Sequence, residues 1–395
     1  MVTSPRLFTR SFVLAVLSAH CFFISYNMAI AEVPRSLAGE PPWVVGIVVG
    51  AMGIAGTLAR PLVGVWLEAG NRVKFVRLGA IGVVLAFGGY ALDLGPWPML
   101  VFRLVHGFCT GMYTTSLLSV VGGAVPADRR GTGIGLYQTS GAVAQLYSAP
   151  LAIWLIMVTD VRTAFIVSAV ACVGALVCGG LVRDLHAPSV VRHVGPWWAR
   201  TWVSRTALLP ALVFLSVTAP YGAVQAFLLQ FADERGLANP GLFYTVVAVS
   251  QVVARGSAGA LVDRIRPVFT IVPALIFGAI GLLLLSMSHS QGMLMVSGLL
   301  YGLGLASTQT SIVALVVGRV TPRGLGAAMA TYTMAWDAGL VLGGVMFGFV
   351  VDATSPATAF AIMSAMPLAG AALFVLRVAR EPSAPVASPP AAAAV

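Results

Sequence analysis

The stretch ARPLVGVWLE, Ala59–Glu68, is an apolar run that carries an arginine near its start and a glutamate at its end. Arg60, Gly64 and Glu68 are spaced by four, so in a helix they share one face. A charge inside so apolar a segment needs a physical reason, and the rest of the chain supplies the context for one.

Of 395 residues, 58% are hydrophobic and 9% are charged. Soluble domains carry about 25% charged residues, so this chain cannot cover itself with a water-compatible surface. Apolar runs of about 20 residues recur throughout and read as spanning helices. At that length the chain accommodates about twelve of them. The predicted spans are 11–31, 43–67, 75–94, 98–125, 131–158 and 162–182, then 206–231, 239–262, 267–287, 292–318, 325–351 and 357–377. Breakers such as Pro41-Pro42, Gly95-Pro96, Pro126, Asn239-Pro240, Pro322 and Pro356 separate them. All must be helices, because an open sheet leaves its backbone unsatisfied in lipid.

The net charge of +10 does not point to nucleic acid, given where the charge sits. Most of the 23 Lys and Arg fall in the N-terminus, alternate loops and the tail, while the opposite loops hold Arg35, Arg162 and Arg235. The positive-inside rule therefore predicts cytoplasmic termini and a cytoplasmic 184–205 segment. The N-terminal stretch around Arg6 and Arg10 has features of a cleavable signal, but its apolar run is long for a signal core and is read as a retained first helix. Cys21, Cys109, Cys172 and Cys178 lie in apolar runs, without metal or disulfide spacing. No glycine loop with a lysine that would cradle phosphates is present, and no nucleophile–base spacing stands out. The expectation is a protein that is not an enzyme, uses no cofactor or metal, and acts as a monomer.

Shifted by 195 residues, Arg60 meets Arg255, Ala59 meets Ala254, Gly64 meets Gly259 and Glu68 meets Asp263. The same shift places Tyr26 on Tyr221, Gly107 on Gly302 and Tyr137 on Tyr332. Matches in several helices at one offset predict two homologous six-helix halves. The expected domains are an N-terminal bundle over 1–183, a linker over 184–205, a C-terminal bundle over 206–378 and a disordered cytoplasmic tail over 379–395.

Gly64, Glu68, Gly70, Arg72 and Lys74, echoed at Gly259, Asp263 and Arg264, together resemble the signature of the major facilitator superfamily. Arg103, Gly107 and Gly111 are similar to a pattern in its drug and metabolite exporters. Glu68 stands where that signature usually has Asp, Ala69 replaces a basic residue, and Ala149-Pro150-Leu151-Ala152-Ile153 lacks the glycines of the exporters' helix 5 run. The resemblance implies an all-α membrane protein with twelve transmembrane helices in two pseudo-symmetric bundles. Between them it implies a cavity lined by helices 1, 4, 7 and 10, opening alternately to each side of a bacterial cytoplasmic membrane.

Charges inside spans cost about 2.5–3.5 kcal/mol each at the helix centre. Arg60 stands ~11 Å from the cytoplasmic end of its helix at 1.5 Å per residue. With Gly64, Glu68 and Arg72, and their repeats Arg255, Gly259, Asp263 and Arg264, it is read as a cytoplasmic gate in which the glycines admit a neighbouring helix; simple anchoring of the helix end is the alternative. Asp337 lies ~18 Å deep, near the midplane. Aspartate is too short to reach water from there, so it must face protein or a wet cavity, a setting suited to proton carriage or to a structural hydrogen bond. Arg103 has three open readings: binding an anionic group, influencing a proton-carrying acid, or bracing backbone carbonyls. His106 is grouped with Asp337 and Arg103 for proton coupling, and packing is the competing reading for it. His20, Tyr26, Asn27, Thr110, Tyr113, Tyr221, Gln225, Tyr301, Thr308, Gln309 and Trp336 are the expected cavity lining, suited to an amphipathic organic molecule. These readings predict proton-coupled export of a small amphipathic or drug-like molecule. Metabolite uptake by symport or facilitated diffusion, and a non-transporting membrane sensor, are the alternatives.

Overall fold

The structure, a computed structural model, describes residues 8–69, 72–125, 130–183, 204–262, 265–320 and 325–378. The 184–203 part of the expected linker and the tail from 379 onward lie outside the described residues, as do Asp263 and Arg264. Among the described residues every element is a helix: α1 (Arg10–Ser36), α2 (Pro42–Ala69), α3 (Arg72–Tyr90), α4 (Pro96–Ala124), α5 (Arg130–Val158), α6 (Val161–Gly180), α7 (Arg205–Glu234), α8 (Gly241–Val262), α9 (Pro267–Ser286), α10 (Gln291–Arg319), α11 (Leu325–Ala353), α12 (Pro356–Met363) and α13 (Ala365–Leu376).

Eleven spans are long and apolar enough to cross a membrane, and α8 adds a shorter apolar stretch over Gly241–Ala254. The chain is a multi-pass membrane protein. The last predicted span is one crossing made of two helical pieces, α12 and α13, broken at Ser364. Pro367 lies three residues past the break, and its missing N–H removes the bond that would have tied it to the carbonyl of Met363. Loop-side helix starts are fixed by side-chain caps: Thr9 accepts from the Phe12 N–H, Asp160 from Thr163, Ser290 from Met293 and Ser355 from Thr358.

The two halves are built alike. In the first, α2 and α3 pack on α4, α1 on α5 and α6, and α3 on α6; in the second, α8 and α9 pack on α10, and α11 and α13 on α7. The glycines that the repeat superimposes explain part of this. A Cβ on Gly107 of α4 would run into the backbone of Met52 in α2, and one on Gly302 of α10 would stand 2.8 Å from the carbonyl oxygen of Val247 in α8. Both positions therefore need glycine for the helices to touch at all. Outward-facing side chains such as Leu85, Val170, Met157 and Phe269 are large, apolar and exposed, which suits lipid as their solvent.

The halves join along two seams, α2 against α11 and α5 against α8. On the first, Gly46 faces Gly344 so closely that a Cβ on Gly344 would come within 2.8 Å of the Gly46 carbonyl oxygen. Next along the seam, Gly348 meets the backbone of Pro42 and Trp43, and Trp43 stacks on Phe349 with ring centroids 6.3 Å apart. On the second seam, Thr245 of α8 donates to the Leu146 carbonyl of α5 (3.1 Å), and Gly241 packs on Pro150 and Ile153. Arg35 at the end of α1 pairs with Asp233 of α7 at 2.6 Å. All of these contacts lie between the midplane and the face that carries the α1–α2 loop, so the molecule is shut at that face. Among the described residues nothing stands within 4 Å of where a Cβ on Gly64 would be, while the residues expected to face it lie partly outside the description. Gly64 lies on the part of α2 beyond the seam.

Gly344→Val should prise this seam apart. Overpacking of a tight contact costs about 1–3 kcal/mol, so the variant is expected to melt earlier. A cysteine placed at Val345, inside the seam, should become reactive to a water-soluble maleimide in the Gly344→Val background and stay protected without it.

Candidate functional site

Arg60 is partnered by Asp337, 277 positions away in the other half. Its Nε donates to Asp337 Oδ2 at 2.7 Å and its Nη2 donates to Oδ1 at 3.2 Å, the two-pronged geometry that guanidinium and carboxylate share. Two features of α2 and α11 make this reach possible. Gly53 lets α11 approach until a Cβ there would be 2.7 Å from the Asp337 carbonyl oxygen. Pro61, next to Arg60, lacks the N–H that would close the helical ladder onto the Thr57 carbonyl. The Asp337 side chain is only 7% exposed and that of Arg60 29%, so water screens the pair little. The sequence grouped Arg60 with Gly64 and Glu68 on one helix face as part of a gate and named no partner for it in the other half. Glu68, Arg255 and Gly259 sit in helices, but their side chains are outside the description, and Arg72 donates to the Ser119 carbonyl at 3.4 Å.

Around this pair a polar wall forms from both halves. Tyr26 of α1 lies within electrostatic range of Arg60, Arg103, Tyr221 and Asp337, and Tyr137 of α5 within range of Arg60. Gln145 of α5 donates from Nε2 to the Tyr221 hydroxyl of α7 at 3.3 Å, a second polar tie between the halves. Trp336, beside Asp337, packs on Tyr221 and Phe214 with centroid distances of 5.6 and 5.9 Å. A small cavity lies toward the shut face, lined by Tyr26, Ile30, Met52, Arg103, Gln225 and Leu340, and so by both halves.

Several residues expected in the cavity are turned into their own bundle. His20 donates from Nδ1 to the Ser140 carbonyl (2.9 Å) and accepts at Nε2 from the Tyr147 hydroxyl (2.8 Å), so both nitrogens are engaged by α5. Tyr113 donates to Ser18 Oγ (2.6 Å) and stacks on Phe22 at 4.0 Å. Tyr301 donates to the Val217 carbonyl (2.8 Å) within the second half. Asn27 donates to the Phe23 carbonyl of its own helix (2.7 Å). Thr110 and Thr308 are buried, with hydroxyls lacking a partner among the described residues, and Gln309 is half-buried on α10.

His106 is fully buried between α3 and α4, its Nδ1 3.1 Å from the Tyr90 hydroxyl. Arg103 donates from Nε to the Val48 carbonyl (3.3 Å) and from Nη2 to that of Val49 (3.1 Å), which makes the backbone-bracing reading of this arginine a visible contact. The sequence reading gave no site role to Gln145, Glu32 or Tyr137, the last noted only in the repeat. Glu32 is fully buried near the end of α1 and accepts from Ser168 Oγ at 2.7 Å. An acid within an apolar run was the available signal, but its place near a helix end made it look like a loop charge.

Two like bundles of membrane-crossing helices, shut at one face and tied by a charged pair at their midline, define a multi-pass membrane transporter. The sequence model of the Major Facilitator Superfamily matches residues 12–287 and 211–394, and the chain belongs to that family. Among its relatives, it is 27% identical over 352 residues to the uncharacterised MFS-type transporter YhhS of Salmonella enteritidis, covering 83% of each chain. It is 23% identical over 225 residues to the staphylopine export protein of Staphylococcus aureus, a match that spans 55% of this chain and only 56% of that protein's length. In fold it resembles a point mutant of the nucleoside transporter NupG (TM-score 0.79, 12% identity, 94% of this chain and 100% of that one). It is also similar to the peptide transporter POT in complex with sulfate (TM-score 0.77, 13% identity, 95% and 96%).

Removing one partner of a buried ion pair strands the other and costs about 3–5 kcal/mol, whereas removing both is far milder. Arg60→Ala is therefore expected to destabilise the purified protein more than the Arg60→Ala/Asp337→Ala double variant does. A double-mutant cycle on unfolding should give a coupling of about 0.5–3 kcal/mol, the range for contacting residues. A coupling near zero would mean the two side chains do not hold each other in the membrane-embedded protein.

Proposed function

We propose that this protein is a secondary transporter that exports a small amphipathic organic molecule in exchange for protons, with Asp337 as the proton carrier. The observation that carries the reading is the Arg60–Asp337 pair between the halves. Alternating access requires the closed seam to part, and a carboxylate locked to a cation across that seam opposes parting. Protonating Asp337 removes one charge of the pair and so lowers that opposition. Swinging a two-state equilibrium from 1:99 to 99:1 takes about 5.5 kcal/mol, and a broken buried pair supplies about 3–5 kcal/mol of it. A proton and a bound substrate together therefore reach the required size.

By the positive-inside rule the basic loops favour the shut face as the outer one of a bacterial cytoplasmic membrane, with both termini in the cytoplasm. The described state is then inward-facing, and Gly64, Glu68 and Arg72 would meet their repeats when the cytoplasmic gate closes. The aromatic and amide wall of Tyr26, Tyr221, Gln225 and Trp336 suits an amphipathic cargo, and the likeness to the staphylopine export protein favours the outward direction.

The test is proton flux in liposomes carrying the purified protein, with a pH dye inside and a panel of metabolites and drugs outside. At least one compound should drive proton movement in the wild type. Asp337→Asn should lose that movement while still exchanging labelled for unlabelled compound. Compound movement with no proton flux, or an Asp337→Asn variant that couples as before, refutes the proposal.

A further inference from the structure

The cation at Arg103 has no anion within ion-pair distance among the described residues. Its side chain is enclosed, with 5% of the residue exposed, and the groups that touch it are neutral. The Val48 and Val49 carbonyls accept from Nε and Nη2, and the Tyr90 hydroxyl lies beside the guanidinium. No acceptor among the described residues satisfies Nη1. The two ion pairs found there, Arg35–Asp233 and Arg60–Asp337, both involve other residues. Glu32 lies within electrostatic range of Tyr90 but engages Ser168 instead of Arg103. A guanidinium cannot shed its proton to escape burial, and an enclosed ion without an opposite charge costs several kcal/mol.

We infer that the opposite charge comes from the cargo: Arg103, with Tyr26 and Gln225, is the docking site for the anionic head of an organic acid. The three residues line one cavity. The tyrosine hydroxyl and the amide add neutral donors to the guanidinium, a set suited to a carboxylate. The cavity is walled by α1, α2 and α4 on one side and by Gln225 of α7 and Leu340 of α11 on the other, so a ligand held there touches both halves. In this state it measures only about 20 Å³, room for roughly one water. It lies just inside the shut face, so parting of the α2–α11 seam both widens it and exposes it. A head group held there would then be released to that face as the seam parts. Arg103 is thus a second cation with a task distinct from that of Arg60, which already has its carboxylate.

This inference rests on the transport reading but is tested apart from it, by equilibrium binding with no gradient. Full-length protein in phosphatidylcholine nanodiscs is titrated with a panel of aryl and alkyl carboxylates, each paired with its primary amide. The wild type should bind at least one acid about tenfold or more tightly than its amide, the factor that one charge-assisted contact of ~1.4 kcal/mol gives. Arg103→Gln should erase that preference, while Arg103→Lys, which keeps a cation, and Gln225→Leu should weaken the acid more than the amide. These two milder variants decide the matter if Arg103→Gln fails to fold. Equal binding of acids and amides, binding of neither, or a preference that survives Arg103→Gln overturns the inference. So does a preference lost in Arg60→Gln but kept in Arg103→Gln, which would move the anion to the other arginine. Adding phosphatidylglycerol to the discs separates cargo from lipid: displacement of the acid by that lipid would make the site a headgroup pocket and overturn the cargo assignment. Proton flux can persist while this preference is absent, and the preference can persist while proton flux is absent, so the two failures are distinguishable.

Discussion

A charge held away from water must find its opposite, and here the opposite lies in the other half of the molecule. Arg60 and Asp337 sit on helices that belong to separate bundles, and neither bundle alone contains the pair. Low exposure of the carboxylate makes the attraction count. The glycines of the α2–α11 seam allow the two backbones close enough for a short aspartate to be reached. Packing and electrostatics therefore support each other. Without the glycines the charges could not meet. Without the charges the halves would be joined by apolar contacts, neutral hydrogen bonds such as Gln145–Tyr221 and Thr245–Leu146, and an exposed rim pair, Arg35–Asp233, worth about 0–1 kcal/mol.

That arrangement also gives the two halves a reason to move. A seam made of glycine-on-backbone contacts is flat and carries few interlocked side chains, so it can part without unpacking a core. The ties across it are polar and few: Arg60–Asp337 at mid-depth, Gln145–Tyr221 beside it, Arg35–Asp233 at the rim. Each responds to protons, ligands or salt in a way that apolar packing does not. By contrast, His20, Tyr113 and Tyr301 fasten helices within one half, where a transporter gains from rigidity.

Much of the fold was legible because membrane helices announce themselves by length and apolarity, and the predicted spans fall within a few residues of the helices throughout. The break at Ser364 was not read, since Pro367 within an apolar run does not reveal whether the helix bends or resumes. The site was legible by residue type and obscure in its pairing. Arg60 and Asp337 were each singled out as intramembrane charges, but nothing in a spacing of 277 positions says they touch. Rotation about each helix axis was the other missing quantity. His20 and Tyr26 are six residues apart on α1 and so about 120° apart around it; one faces α5 and the other the cavity, and a helix apolar all round carries no periodicity to say which direction is which.

The central claim is that the Arg60–Asp337 pair holds the two halves together at the face carrying the α1–α2 loop. The most direct measurement is the distance between spin labels at positions 41 and 354, the rim ends of α2 and α11, in lipid. The wild type should show a dominant short distance, and Asp337→Asn should shift population toward a longer one, as should Arg60→Gln. Identical distance distributions in all three proteins would contradict the account.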